Sequence, residues 1–197
     1  MKLDEEKQCV IACRTDPEAF SLLYENNYNL LLNYAVRRTG NVEIAKDIVS
    51  ETFCKAIKNL GMYEWRNIPF SAWLYRIANN EINQYFRKSH YRAVSLEAMR
   101  ERQDFEIVLD YNLEEVMVAQ EELEENNKQF LFYREKIAEL PLKYQEVLSL
   151  RYFEGKTTRE ICQILGKREG TVKSLIHRGL ERLRKVQYPP STKGATF

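Results

Sequence analysis

The sequence predicts an all-α protein of two small helical domains, an N-terminal helical bundle and a C-terminal helix-turn-helix domain, joined by an acidic linker. Three observations carry this. Apolar side chains recur every three or four residues through almost all of the 197 residues, the period of a helix face. That pattern weakens from Ser89 to about Asn127, where acidic side chains accumulate. The near-neutral net charge of +1 also divides unevenly. Residues 1–88 carry 12 basic and 11 acidic groups, residues 89–140 carry 6 and 13, and residues 141–188 carry 11 and 5. The predicted divisions are 1–90, a connector at 91–127, a second domain at 128–187 and a tail at 188–197.

In the first domain, Asp16-Pro17 offers an N-cap followed by proline at the first helical position. Phe20, Leu23, Tyr24, Leu30, Leu31, Tyr34 and Ala35 then mark an inner face, and Gly40 supplies a stop. Asn41 can cap the next helix, with Ile44, Ala45, Ile48, Val49, Phe53, Ala56, Ile57 and Leu60 inward and Gly61 at its end. An aromatic-rich loop, Met62–Phe70, precedes a helix that starts near Ser71. That helix turns Trp73, Leu74, Ile77, Ala78, Ile82 and Phe86 inward and ends at Arg87-Lys88. With a short helix at the N-terminus, these can share one core.

The connector has some helical character near 113–125 but no continuous apolar face, and reads as a flexible tether. Periodicity resumes at Phe130. Pro141 fits the first turn of a helix through Tyr144, Val147, Leu148 and Leu150. Thr157 or Thr158 can cap a short helix whose inward residues are Ile161, Ile164 and Leu165, and Gly166 provides a tight turn. A second helix starts near Glu169 and faces Val172, Ile176, Leu180 and Leu183 to the core. The segment after Gln187 reads as a frayed tail.

Composition excludes several classes. No apolar run approaches the ~20 residues of a membrane span, and the acidic start MKLDEEKQ lacks the features of a signal peptide. A cytoplasmic protein with no membrane insertion is expected. Cys9, Cys13, Cys54 and Cys162 form no CxxC pair, and free, mostly buried thiols are expected. With His90 and His177 the only histidines, no metal site, cofactor, small-molecule substrate or catalytic residue is predicted. The sequence contains no P-loop, Gly-rich dinucleotide turn or HExxH motif.

A short helix, a glycine turn and a helix with one free face form the layout of a helix-turn-helix. The free face displays Thr171, Lys173, Ser174, His177 and Arg178, with Arg168 near its start and Arg182, Arg184 and Lys185 at its end. Such side chains reach base edges and phosphates in a major groove, phosphate contacts supplying affinity and groove contacts selectivity. An ordinary helical hairpin with a basic exposed face would have the same pattern.

The run Leu140-Pro-Leu-Lys-Tyr-Gln-Glu-Val-Leu-Ser-Leu-Arg-Tyr-Phe-Glu-Gly155, the hairpin after it and Glu169-Gly-Thr-Val-Lys-Ser174 resemble region 4 of the sigma-70 family, in its extracytoplasmic-function (ECF) group. Ala45-Lys-Asp-Ile-Val-Ser-Glu-Thr-Phe53 resembles region 2.2, and Phe70-Ser-Ala-Trp-Leu-Tyr-Arg-Ile-Ala-Asn-Asn80 the promoter-melting region. Together the matches span roughly 16–88 and 130–186, in the family's order and spacing.

The resemblance implies a non-enzymatic subunit that binds core RNA polymerase and directs it to promoter DNA. Asp47, Ser50 and Glu51 would dock on polymerase, although the family usually has glutamine where Ser50 stands. Tyr63, Trp65 and Phe70 would line a pocket for a base flipped from the −10 strand, though a loop docked on its own core would also explain them. Arg76, Asn80, Asn83 and Gln84 would face the separated strand, and Arg87 and Lys88 its phosphates. Trp73 and Tyr75 are ambiguous, with packing favoured for Trp73. Arg168, Thr171, Lys173, Ser174, His177, Arg178 and Arg182 would read the −35 element. An anti-sigma factor is the implied inhibitor.

Leu175 and Gly179 stand where the family often has arginine and alanine. Leu175 removes a phosphate contact, and Gly179 should cost about 1 kcal/mol of helix stability relative to alanine. Two alternatives carry different predictions. A stand-alone helix-turn-helix regulator would bind operator DNA unaided and leave the 41–88 motifs unexplained, whereas a sigma-like mimic that sequesters an anti-sigma factor would not need a basic reading helix.

Overall fold

The computed structural model describes residues 3–13, 16–96, 132–133 and 135–185. Among the described residues seven helices carry the fold: α1 (Leu3–Ala12), α2 (Phe20–Thr39), α3 (Val42–Asn59), α4 (Phe70–Leu96), α5 (Leu142–Leu148), α6 (Thr158–Leu165) and α7 (Glu169–Arg184). Most of the 91–127 connector, including its 113–125 stretch, and the 188–197 tail lie outside the described residues.

Local chemistry sets most of the boundaries. Asp16 Oδ1 accepts the Glu18 N–H at 2.9 Å, and Pro17–Ala19 form a 3-10 turn leading into α2. Gly40, at φ 69°, closes α2 with a left-handed cap, its N–H reaching the Val36 carbonyl at 2.8 Å. Asn41 Oδ1 then accepts the Ile44 N–H at 3.0 Å and opens α3. Gly61 differs from its predicted role as a stop. It lies within a 3-10 turn, Leu60–Met62, without positive φ, so α3 tightens before the chain leaves it.

The inner faces follow the predicted stripes with three exceptions. Leu30 and Ile57 are exposed, each one position off a buried neighbour, Leu31 and Ala56 respectively. Tyr24 is exposed too, but its ring lies 4.5 Å from that of Phe53. The helix predicted to end at Arg87-Lys88 runs on to Leu96, because Ser89–Leu96 contains neither glycine nor proline to break it. Its last turns thus enter the segment read as linker.

In the second domain Pro141 occupies the N-cap of α5, one position before the predicted first turn, and Ser149–Phe153 continue α5 as a π-helical segment that buries Leu150. Thr157 is the residue that caps α6. Thr157 Oγ1 accepts the Glu160 N–H at 3.3 Å while Glu160 Oε2 accepts the Thr157 N–H at 2.8 Å, a reciprocal capping box. Gly166, at φ 62°, makes the turn into α7. The two domains pack as one body, with α4 lying against α6 and one apolar cluster running through both.

The thiols are less uniformly buried than expected. Cys13 is buried and Cys9 and Cys162 are half-buried, whereas Cys54 is exposed on the outer side of α3. Among the described residues no helix is long and apolar enough to cross a membrane, and no cluster of three or more His, Cys, Asp or Glu is placed to hold a metal ion.

Candidate nucleic-acid interface

The inward residues of α7, Val172 and Leu183 above all, hold the helix on the core. Its opposite face leaves Thr171, Lys173, His177, Arg178 and Arg182 exposed, with Arg168 exposed at the N-cap and Ser174 half-buried. Two of these groups have acidic neighbours on the same helix. Lys173 Nζ lies 2.6 Å from Glu169 Oε1, and His177 Nδ1 lies 3.6 Å from Glu181 Oε2. The Glu169 carboxyl is held below its usual range by Lys173. The Arg182 guanidinium sits 5.2 Å from the centroid of the buried Tyr144 ring. Leu175 is half-buried and packs against the core.

A cavity of about 340 Å³ opens between the Met62–Pro69 loop and α4, with Tyr63, Arg66, Ala72, Trp73 and Arg76 in its wall and Gln163 of α6 at its edge. Asn67, at φ 54°, gives the loop its left-handed turn. Tyr63 and Trp73 lie with ring centroids 4.7 Å apart and planes tilted by 41°. Burial, reinforced by Glu6, pushes the Tyr63 hydroxyl up to about 12, so it stays protonated at neutral pH and able to donate.

This placement revises the predicted aromatic set. Phe70 is wholly buried and meets Tyr63 edge to face at 5.3 Å, which makes it the support of the wall. Trp65 packs half-buried against the core and does not line the cavity. Trp73 packs against the core as expected and also lines the cavity. Aromatic count alone could not separate these roles; they depend on which ring the loop lays over α4.

Along α4, Arg76, Asn80, Gln84, Arg87 and Lys88 are exposed, and Arg87 Nε donates to the Asn83 carbonyl at 3.3 Å. Asn83 is half-buried beneath the second domain, its Nδ2 donating to Glu146 Oε1 at 2.6 Å. Asn79 and Tyr75 sit beside it, buried. Asn79 Nδ2 lies 3.4 Å from the same Glu146 oxygen, and the Tyr75 hydroxyl donates to Glu154 Oε2 at 2.6 Å. Asp47, Ser50 and Glu51 are all exposed on α3. Glu51 shares Lys55 with Glu81 of α4, at 3.2 and 2.7 Å.

A helical bundle with an aromatic-walled cavity, joined to a helix-turn-helix with a basic free face, is the architecture of a two-domain transcription initiation factor. The family comparisons agree: residues 23–92 match Sigma-70 region 2, and residues 133–183 match Sigma-70 region 4. The chain belongs to the ECF group of the sigma-70 family of RNA polymerase sigma factors, a non-enzymatic family.

It is 35% identical over 174 residues to the ECF RNA polymerase sigma factor SigW of Bacillus subtilis (strain 168), covering 86% of this chain and 89% of that relative. To the ECF RNA polymerase sigma factor BldN of Streptomyces coelicolor it is 29% identical over 171 residues, covering 87% of this chain but 61% of BldN. In fold it is similar to the sigma factor RpoE solved with the anti-sigma factor NepR from Bartonella quintana. That match has a TM-score of 0.62 at 20% identity and covers 84% of this chain and 94% of the other.

Proposed function

We propose that this chain directs core RNA polymerase to promoters through three surfaces. The exposed edge of α3 centred on Asp47, with Ser50 and Glu51, docks on the polymerase. The cavity under the Met62–Pro69 loop captures a base flipped from the −10 strand, and α7 enters the major groove at −35.

The observation that carries the reading is the row Thr171, Lys173, His177, Arg178 and Arg182, exposed on a helix whose other face is core. A free basic face on the second helix of such a hairpin is what groove reading requires. Flipping a base costs a few kcal/mol of unstacking, which aromatic faces and hydrogen-bond donors can return. Tyr63 and Trp73 supply the faces, and Arg66 and Arg76 the donors. Asn80, Asn83 and Gln84 continue toward the separated strand, and Arg87 and Lys88 toward its phosphates. The anti-sigma-bound state of the RpoE relative supports an anti-sigma factor as the partner that restrains this chain, and the acidic connector suits a path through basic polymerase channels.

Pull-down with core polymerase, followed by −35 duplex competition on the complex, tests the assignment. Asp47→Arg is expected to lose core binding, while Arg178→Ala keeps core binding and loses −35 selectivity. Wild-type core binding by Asp47→Arg would remove the α3 assignment.

A further inference from the structure

Arg38, near the C-terminus of α2, is only 5% exposed. Its Nη1 donates to the Tyr34 hydroxyl at 2.9 Å and to Asn79 Oδ1 at 3.0 Å. Neither acceptor carries charge, since burial pushes the Tyr34 hydroxyl up and keeps it protonated at neutral pH. Nε and Nη2 of the same guanidinium are sealed from solvent and have no hydrogen-bond partner among the described residues. The carboxylates that the second domain brings to this interior are committed to other groups. Glu154 accepts from Arg37 Nη1 and from the Tyr75 hydroxyl, both at 2.6 Å, and Glu146 accepts from Asn83 Nδ2 at 2.6 Å.

A buried cation with two unpaired N–H groups opposes folding, and native proteins hold few such groups without an ion or water against them. Nε–H and Nη2–H also form one edge of the guanidinium, two parallel donors spaced to match two oxygens of one oxyanion. Arg38 lines a cavity of about 220 Å³, with Thr39, Phe86, Glu135 and Gln145 also in its wall. A water takes about 30 Å³ of liquid, so a small ion fits there with its remaining waters. Gln145 Nε2 steadies the wall by donating to the Ala138 and Leu140 carbonyls, each at 2.7 Å. Glu135 is exposed and puts a carboxylate at the cavity's edge.

We propose that this cavity is a binding site for one small oxyanion of the phosphate class, gripped by the Nε–Nη2 edge of Arg38. Binding needs a side-chain adjustment that turns this edge to the cavity the residue already lines. The anion neutralises the buried guanidinium and supplies both missing acceptors, so it stabilises the folded chain in proportion to its occupancy. Glu135 repels it and lowers its affinity. The site uses none of the residues assigned to polymerase docking, the −10 pocket or the −35 helix, so it stands or falls apart from them.

The test titrates the full-length, 15N-labelled chain with sodium phosphate at constant ionic strength, sodium chloride making up the balance. The Arg38 Nε–H resonance is followed by NMR, and thermal melts are recorded in parallel. A saturable shift of that resonance with phosphate, and none with chloride, is expected. Arg38→Lys keeps the charge but loses the paired donors, and should weaken phosphate at least about tenfold. Glu135→Gln should tighten it a few-fold. No saturable shift means that water alone fills the cavity, and a phosphate-dependent rise in Tm undiminished in Arg38→Lys means an adventitious ion only; either overturns the site. Saturation by acetate but not by phosphate overturns the phosphate class. Saturation by adenosine monophosphate as well as phosphate upholds the site and makes a phosphate ester an equal source of the anion. Should Arg38→Lys fail to fold, equal phosphate midpoints for wild type and Glu135→Gln at the Arg38 resonance overturn the assignment.

Discussion

Glu6 Oε2 accepts the backbone N–H of Phe70 at 3.0 Å, tying the first helix of the chain to the first residue of α4 across 64 positions. The bond satisfies an amide at the start of α4, where no intrahelical partner exists, and fixes the base of the aromatic wall. Burial raises the Glu6 pKa above its ordinary 4.5, with the Phe70 bond opposing the shift. A carboxyl with a raised native pKa favours folding most when protonated, and that advantage is lost as pH climbs from 4.5 through the raised value. Glu6→Gln should therefore lose less stability than wild type over that interval. Urea unfolding of both proteins at a series of pH values from 4 to 7 checks this, and parallel profiles would contradict it.

Gly179 carries a second prediction, opposite in sign to helix propensity. A Cβ at this position would sit 3.0 Å from Leu148 Cδ1 and 3.2 Å from its Cγ, with Leu148 wholly buried between α5 and α7. Alanine gains about 1 kcal/mol of helix preference, but overpacking a core costs about 1–3 kcal/mol. Gly179→Ala should destabilise the chain by about 1 kcal/mol in a chemical melt, where the sequence alone predicts a gain.

Thiol reactivity should separate by position. Burial, with Cys9 next to it, pushes the Cys13 thiol up to about 11, whereas Cys54 is exposed on α3. The thiolate is the reactive form. Brief iodoacetamide treatment at neutral pH, read by peptide mass spectrometry, should modify Cys54 first and leave Cys13 largely unmodified in the folded chain.

The Glu169–Lys173 pair lies in the first turns of α7, on the face proposed to read −35 DNA. Glu169→Gln releases Lys173 and removes a negative charge from the path of a phosphate, so the complex with core polymerase should bind −35 duplex a few-fold more tightly. Its affinity should also fall more steeply with salt, because one more cation is free to displace counterions. Fluorescence anisotropy across a salt series measures both.

The sequence carried much of this because helix signals are local. Gly40, Asn41 and Gly166 act where their residue types alone suggest, and the α7 stripe needs only periodicity. Functions that depend on tertiary contact were not legible. Phe70 lies behind the cavity wall, and Trp73 both packs on the core and lines the cavity, because burial depends on how the loop folds over α4. Gly61 lacks the positive φ that would make it a stop, and Gly179 is a packing residue only because Leu148 stands opposite. Glu146 and Glu154 look like solvated helix surface in the sequence. Their partners lie 63 and 117 positions away, at Asn83 and Arg37, beyond any periodic pattern.

Run-off transcription from a promoter library with core polymerase, with and without this chain, tests the central claim most directly. Initiation at a defined set of −35/−10 pairs is predicted only when the chain is added, and loss of that initiation with Asp47→Arg. The same start sites from core polymerase alone, or a polymerase complex containing this chain that starts at no promoter in the library, would contradict it.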